Sequence, residues 1–181
     1  MFNSFLQEIE SELKKGCSEF GHPFKTLTLA TLDKNQLPQQ RIVVLRKINS
    51  ELKLTFFTDL RSKKVTQIKN NEQVSAHFYH MEKKLQLVFR ATAQLEQDEE
   101  SVQNLWQQVR IRNQKDYTTN LAPGSIIQQP DNIEYLNQQN YFGVVHLIPQ
   151  KIEYLKLNQP QHLRILFKKK ESYWNGQFLV P

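Results

Sequence analysis

Apolar residues near the start of the chain recur at helical spacing: Phe5, Leu6, Ile9, Leu13, Cys17 and Phe20, with Glu and Lys between them. Such a stripe predicts an amphipathic helix, and Gly21 and Pro23 end it. The period then changes to two. In FKTLTLATLD, Leu27, Leu29 and Thr31 alternate with Thr26, Thr28 and Ala30, the mark of a half-buried strand. DKNQLPQ reads as a turn, QRIVVLRKI as a second strand, NSE as a turn and LKLTFFT as a third strand. A short helix follows, with Val65 and Ile68 as its apolar positions and Ser62 placed to cap it. VSAHFYH predicts a fourth strand, MEKK a hairpin turn and LQLVFRATAQLE a long fifth strand. Asp98 opens an acidic first turn ahead of Val102, Leu105, Trp106 and Val109, the stripe of a second full helix.

Residues 113–140 are polar, rich in Gln and Asn, and contain Pro123-Gly124 and Pro130; they read as a long loop with one helical turn. The end of the chain is β again, in YFGVVHLI, QKIEYLKL, HLRILFKK and SYWNGQFLV, with Pro149 and Pro160 at the junctions. About eight strands with short connections predict antiparallel pairing. The expected fold class is mostly β with flanking helices, an antiparallel barrel closed or partly closed. At 181 residues a single domain, 1–181, is expected, with its N-terminal helix in 1–21, the long loop in 113–140 and C-terminal strands in 141–181.

Composition narrows the function classes. No apolar run reaches the length of a membrane span. The first residues carry acids early and lack a signal-peptide pattern, so a cytoplasmic protein is expected. Cys17 is the only cysteine, which excludes an internal disulfide and a Cys-based zinc site. A net charge of +6 fits a nucleic-acid partner, a solvated basic surface or a phosphate-bearing ligand. The charge forms no long basic arm; its densest run, Lys168 to Lys170, lies between strands. Five glycines cannot build GxGxxG, a P-loop or GxSxG. His77 and His80 point to opposite faces of one strand, and the five histidines show neither HExxH nor a paired carboxylate partner. If the chain is an enzyme, an organic cofactor carries the chemistry.

The segment from Arg41 to Arg90 is the richest in such chemistry. Its short helix opens with Arg61, Ser62, Lys63 and Lys64. A helix start offers free backbone N–H groups and the positive end of the macrodipole, and lysines there make a phosphate site without a glycine loop. The bland alternative is a solvated helix start. Gln86, Val88 and Arg90 share one face of their strand, opposite Leu87 and Phe89. Arg41 and Arg46 are five apart, so a regular strand points them to opposite sides unless a bulge intervenes. Trp106 and Arg110, at i and i+4, share a helix face; by themselves they read as core packing of Trp106 beside a surface arginine.

These residues resemble the pyridoxamine 5'-phosphate oxidase family of FMN-binding split barrels. The resemblance runs from about Phe24 to Pro181 and is carried by RIVVLR at 41–46, FFTDLRSKK at 56–64, LQLVFRA at 85–91 and the closing HLRILFKKKESYWNGQFLVP. It implies a homodimer with two FMN sites at the interface. Arg41 and Lys64 would then hold the FMN phosphate beside Ser62, with Lys63 in place of the usual Arg. Phe57 and Thr58 replace a Tyr-Thr pair at the cofactor. Arg46 stands for a Lys near the flavin, Gln86 matches the glutamine on the isoalloxazine, and Arg164 matches a cofactor-binding arginine. Trp106 and Arg110 fall where an aromatic and an arginine grip the substrate phosphate. Leu155 replaces a Trp, and Pro160-Gln161-His162 replaces the family's Arg-x-His, keeping only His162. The Pro123-Gly124 loop resembles a divergent branch.

The resemblance implies an FMN-dependent oxidoreductase that passes hydride from a substrate carbon to the flavin. Arg46 would stabilise charge on flavin or substrate, and His162 would orient the substrate or move a proton. Two other classes stand beside this reading. One is a non-catalytic module that binds flavin or haem. The other is a basic nucleic-acid-binding barrel, supported by charge and by the aromatics of FFT and FYH.

Overall fold

The computed structural model of the chain describes residues 2–181. The predicted strands are present and run antiparallel: β1 (Thr26–Leu32), β2 (Pro38–Ile48), β3 (Leu54–Asp59), β4 (Gln73–His80), β5 (Leu85–Leu95), β6 (Phe142–Lys156), β7 (Leu163–Lys169) and β8 (Trp174–Leu179). They form one sheet in the order β3-β2-β1-β4-β5-β6-β7-β8. A further pairing of β3 with β6 closes the first six into a barrel, which leaves β7 and β8 as an extension from β6. The inward residues are those of the period-two pattern: Leu27 and Leu29, Val43 and Leu45, Phe56, Ala76 and Phe78, Leu87 and Phe89, Ile152 and Tyr154.

One predicted junction is absent. YFGVVHLI and QKIEYLKL form a single strand, β6, that passes through Pro149. The register against β5 slips there, Arg90 facing Lys151 and Ala91 facing Pro149, so Gln150 is an extra residue. Proline has no N–H to give a ladder, and a bulge removes the need for one. The bulge also divides the work of β6. Its first half pairs with β3 and closes the barrel; its second half pairs with β7.

Helices cover the two barrel ends. α1 (Asn3–Ser18) lays Ile9, Leu13 and Gly16 on the end where β1 begins and β4 finishes. α2 (Lys63–Asn70) buries Val65 and Ile68 at the other end, where its Gln67 meets Thr31 of β1. α3 (Glu99–Gln107) is capped by Asp98, whose carboxylate accepts from the Ser101 N–H at 2.9 Å. With the loop after it, α3 covers the outside of β3 and β6 over a second core of Val109, Tyr117, Phe142 and Val144. A short helix, α4 (Ile111–Gln114), leads into the long loop. That loop is pinched at its base by a Thr119–Tyr135 bridge. Arg61 clamps it from α2's approach, donating to the carbonyls of Thr119 (2.8 Å) and Asn120 (2.9 Å) with its guanidinium over the Tyr141 ring.

Candidate functional site

The α2 end of the barrel gathers Arg41, Thr58, Ser62 and Lys64. Arg41 belongs to the inward series of β2 but lies at its open end, next to Leu29 of β1. Its guanidinium donates to Thr31 Oγ1 (2.5 Å) and to Gln67 Oε1 (2.9 Å). Lys64 Nζ donates to Thr58 Oγ1 and to Ser62 Oγ, each at 3.1 Å. The two cations feel each other: burial and then the charge of Arg41 pull Lys64 below the usual lysine range, and burial pulls Arg41 below the usual arginine range. Among the described residues neither has a carboxylate within ion-pair distance. The one acid in reach, Asp59, is taken by a forked pair with Arg61 at 2.7 and 3.1 Å. Two half-buried cations beside the first turn of a helix, with hydroxyls between them and no carboxylate paired to either among the described residues, are a ready site for a phosphate.

Ser62 occupies the N-cap position, but its hydroxyl makes no capping bond. It meets Thr58 Oγ1 at 3.2 Å and Lys64 instead. The reason is competition: an ammonium is a stronger donor than a backbone N–H. Lys63 is exposed, so the two lysines differ in surroundings. Thr31 and Gln67, which complete the cluster, were missed by the sequence reading. Thr31 carries a signal, as the polar member of the otherwise apolar inward series Leu27, Leu29, Thr31.

A second group lies toward the other end of β2. The register of β2 against β3 jumps from Leu45–Phe56 to Lys47–Thr55, so Arg46 is itself the bulged residue. Its guanidinium carbon sits 5.4 Å from the centre of the Phe57 ring. It is near enough to the Tyr117 hydroxyl to oppose the upward push that burial gives that phenol. Arg46 Nε is buried without a hydrogen-bond partner among the described residues. Arg46 and Phe57 line a cavity of about 510 Å³ shared with Lys25, Lys47, Arg110 and Arg112, against the single acid Glu19. The bulge does not bring Arg46 to Arg41; the five residue steps from one to the other span about 16 Å of strand.

Trp106 and Arg110 do not share a helix face. α3 ends at Gln107, and Arg110 is the N-cap of α4 with an extended backbone. Trp106 packs on Phe142 and Tyr117, ring centres 5.3 and 6.1 Å apart, while Arg110 turns to the Arg46 cavity. α3 stops before its spacing carries Arg110 onto the Trp106 face, while Val109 stays in the second core with Val102, Leu105 and Trp106. A third group is a row across β5, β6 and β7, where Gln86 faces Leu155 and Leu155 faces Arg164. Directly opposed residues share a face, here the outer one. Gln86 Oε1 lies 3.3 Å from His77 Nε2, and Arg164 is held by Glu153 at 2.8 and 3.1 Å. His162 is exposed just before β7. Three histidines do find carboxylates, contrary to the sequence reading: His146 with Glu96 at 3.1 Å, and His22 and His80 with Glu12. These partners are 50 or more residues away for His146 and His80, beyond any spacing rule.

Residues 3–97 match the family model described as pyridoxamine 5'-phosphate oxidase, FMN-binding domain. The chain is 31% identical over 88 residues to the pyridoxine/pyridoxamine 5'-phosphate oxidase of Photorhabdus laumondii, an alignment covering 48% of this chain and 40% of that protein. It is 40% identical over 52 residues to the enzyme of the same name from Vibrio campbellii, covering 29% of this chain and 24% of that one. The match thus spans less than half the length of either relative. Two solved structures resemble the whole chain. A pyridoxamine 5'-phosphate oxidase-related, FMN-binding protein of Nostoc punctiforme superposes with a TM-score of 0.79 at 22% identity, covering 97% of this chain and 96% of that one. PhzG of Burkholderia lata, in complex with tetrahydrophenazine-1-carboxylic acid, gives 0.80 at 16%, covering 98% and 91%; at these identities the likeness is one of fold. With more than half of its length matched by the family model, the chain belongs to the FMN-binding pyridoxamine 5'-phosphate oxidase family.

Proposed function

We propose that this protein is a homodimeric FMN-dependent oxidoreductase acting on a small anionic substrate. The observation that carries the reading is the pair Arg41 and Lys64, half-buried, mutually repelling and without a carboxylate. That arrangement costs the apoprotein stability unless an anion neutralises it. An FMN phosphate fits: two cations, the hydroxyls of Thr58 and Ser62, and the first N–H groups of α2 are the donor types a phosphate takes. The absence of a dinucleotide fingerprint favours FMN over FAD. FMN, when bound, supplies the two-electron redox chemistry.

The substrate side rests on the Arg46 cavity. Its cations outnumber its acid, and Phe57 offers a flat apolar wall. Arg46 and Arg110 would bind the anionic group, Arg46 using the Nε proton that no acceptor among the described residues takes. Gln86 and Arg164 stand on a face of the barrel separate from the Arg41 cluster, so in this reading they serve a flavin held mainly by the partner subunit. A second reading, flavin binding without oxidase turnover, is favoured by Arg164, already satisfied by Glu153, and by Pro160, which has no side-chain donor.

The test is direct. Purified protein is expected to carry a flavin that heat releases and chromatography identifies as FMN, and light scattering is expected to give a dimer. FAD, haem or no chromophore would count against the proposal, as would a flavin-loaded monomer. Peroxide release from pyridoxamine phosphate is expected to be weak. One missing charge-assisted contact at Pro160 removes about 1.5–3 kcal/mol, roughly ten- to a hundredfold in rate. Turnover equal to that of a pathway oxidase would restore pyridoxamine phosphate as the substrate.

A further inference from the structure

Glu12 is the one charged residue on the buried stripe of α1, between Ile9 and Leu13 on one side and Gly16 on the next turn. Its carboxylate is 3% exposed and is surrounded by groups from three parts of the chain. Oε1 accepts from Lys83 of the β4–β5 turn at 2.5 Å and from Lys15 at 3.2 Å. Oε2 has no hydrogen-bond partner within normal geometry. Facing it are His22 Nε2 at 3.4 Å and His80 Nε2 at 3.8 Å, both side chains nearly as buried. The ligating atoms of Glu12, His22 and His80 lie within 4.8 Å of one another, as in a metal site. The other ring nitrogens argue otherwise. His22 Nδ1 accepts from the Phe24 N–H at 3.1 Å, and His80 Nδ1 from the Lys83 N–H at 3.4 Å. A histidine that ligates through Nε2 carries its proton on Nδ1 and donates it. Here Nδ1 is an acceptor in both rings, so each neutral ring keeps its proton on Nε2, aimed at Oε2.

We propose that the Glu12–His22–His80 cluster is a proton-controlled latch that holds the C-terminal half of α1 against the barrel and thereby sets the wall of the Arg46 cavity. With both rings neutral, the two Nε2–H groups point at one carboxylate oxygen without reaching bonding geometry, and both Nδ1 atoms take backbone N–H groups. A proton added to either ring must go to Nδ1. It then faces a backbone N–H, donor against donor, and adds a third cation to a carboxylate already served by Lys15 and Lys83. The elements pinned by the two Nδ1 bonds are the turn before β1 and the turn after β4. The first of these follows directly on Cys17 to Gly21, which line the cavity with Arg46. The charged groups facing His80 are Lys83, Glu12, His22 and Glu82; burial and then Lys83 pull it below the usual histidine range. The sign follows: a histidine lowered in the fold stabilises it fully above about pH 6.5, and the contribution fades as pH falls below that value. Acid therefore loosens the latch.

The test compares wild type with His22→Asn/His80→Asn, in which each Asn Oδ1 keeps an acceptor at the Nδ1 position for the Phe24 and Lys83 N–H groups and neither side chain titrates. Cys17 labelling by 2,2'-dipyridyl disulfide reports the α1 end, and comparison at equal pH cancels the thiol's own ionisation. Equal rates are expected at about pH 7.5. About tenfold faster labelling of wild type is expected at about pH 5.5, with the barrel intact by near-ultraviolet circular dichroism, the factor that one unit of proton linkage carries. Equal labelling at both values would overturn the proposal. Should the double variant not fold, wild type alone decides: the Lys83 amide signal must move with the His80 ring signals in NMR spectra as the pH falls. A Lys83 amide that stays still while the His80 ring signals move would overturn it as well.

Discussion

Lys64→Met is expected to weaken FMN binding by roughly ten- to a hundredfold while leaving the apoprotein as stable as the parent or more so. The loss is that of one hydrogen bond to a charged group, about 1.5–3 kcal/mol. The gain has a separate source. Burial and Arg41 both pull Lys64 down, which means that the fold disfavours the charged ammonium. The apoprotein bears that cost, and methionine of similar length removes it. Thr58 and Ser62 keep each other as partners at 3.2 Å when the ammonium goes. Lys63→Met, at an exposed position, is expected to do much less on both counts. Fluorescence titration with FMN and thermal denaturation of the apoprotein measure the two effects. An apoprotein that melts well below the parent, with FMN affinity unchanged, would show that Lys64 is a structural residue.

Gly16→Ala is expected to destabilise the protein although it places the best helix former inside a helix. A Cβ at Gly16 would come within 2.6 Å of the Phe24 carbonyl oxygen and 2.7 Å of its carbonyl carbon. These are backbone atoms and cannot turn aside. Phe24 is itself fully buried and tied by its N–H to His22. Alanine gains about 1 kcal/mol of helix propensity over glycine; overpacking costs about 1–3 kcal/mol. The clash wins by up to about 2 kcal/mol, which for a chain of this size lowers the melting temperature by up to about 8 °C. A melting temperature above the parent's would refute the expectation. The site matters because α1 stands on the barrel through one buried face, with Gly16 against Phe24 and Glu12 one turn before it.

Much of the site was legible through local chemistry. Lysines at a helix start and the alternation around Gln86 say what kind of group each residue presents and on which face. Arg41, Thr58, Ser62 and Lys64 do converge, since β3 runs straight into α2 and carries three of them on one short stretch. Trp106 and Arg110 show the limit of the same reasoning. Their spacing is helical, yet α3 stops at Gln107 and Arg110 begins a separate short helix, so the two side chains part.

The sequence by itself determined the strands, the helices and their buried faces, because hydrophobic period is a property of neighbours in the chain. It determined the turn at Asp33 to Leu37 and the Asp98 cap for the same reason. Only the tertiary structure decided that β3 closes on β6, that β6 runs through Pro149, that Ser62 serves Lys64 instead of its own helix, and that Glu12 sits between two histidines. Each of these depends on which groups meet across the barrel. A polar side chain bonds to the strongest partner that folding brings within reach, and no local pattern records which partner that will be.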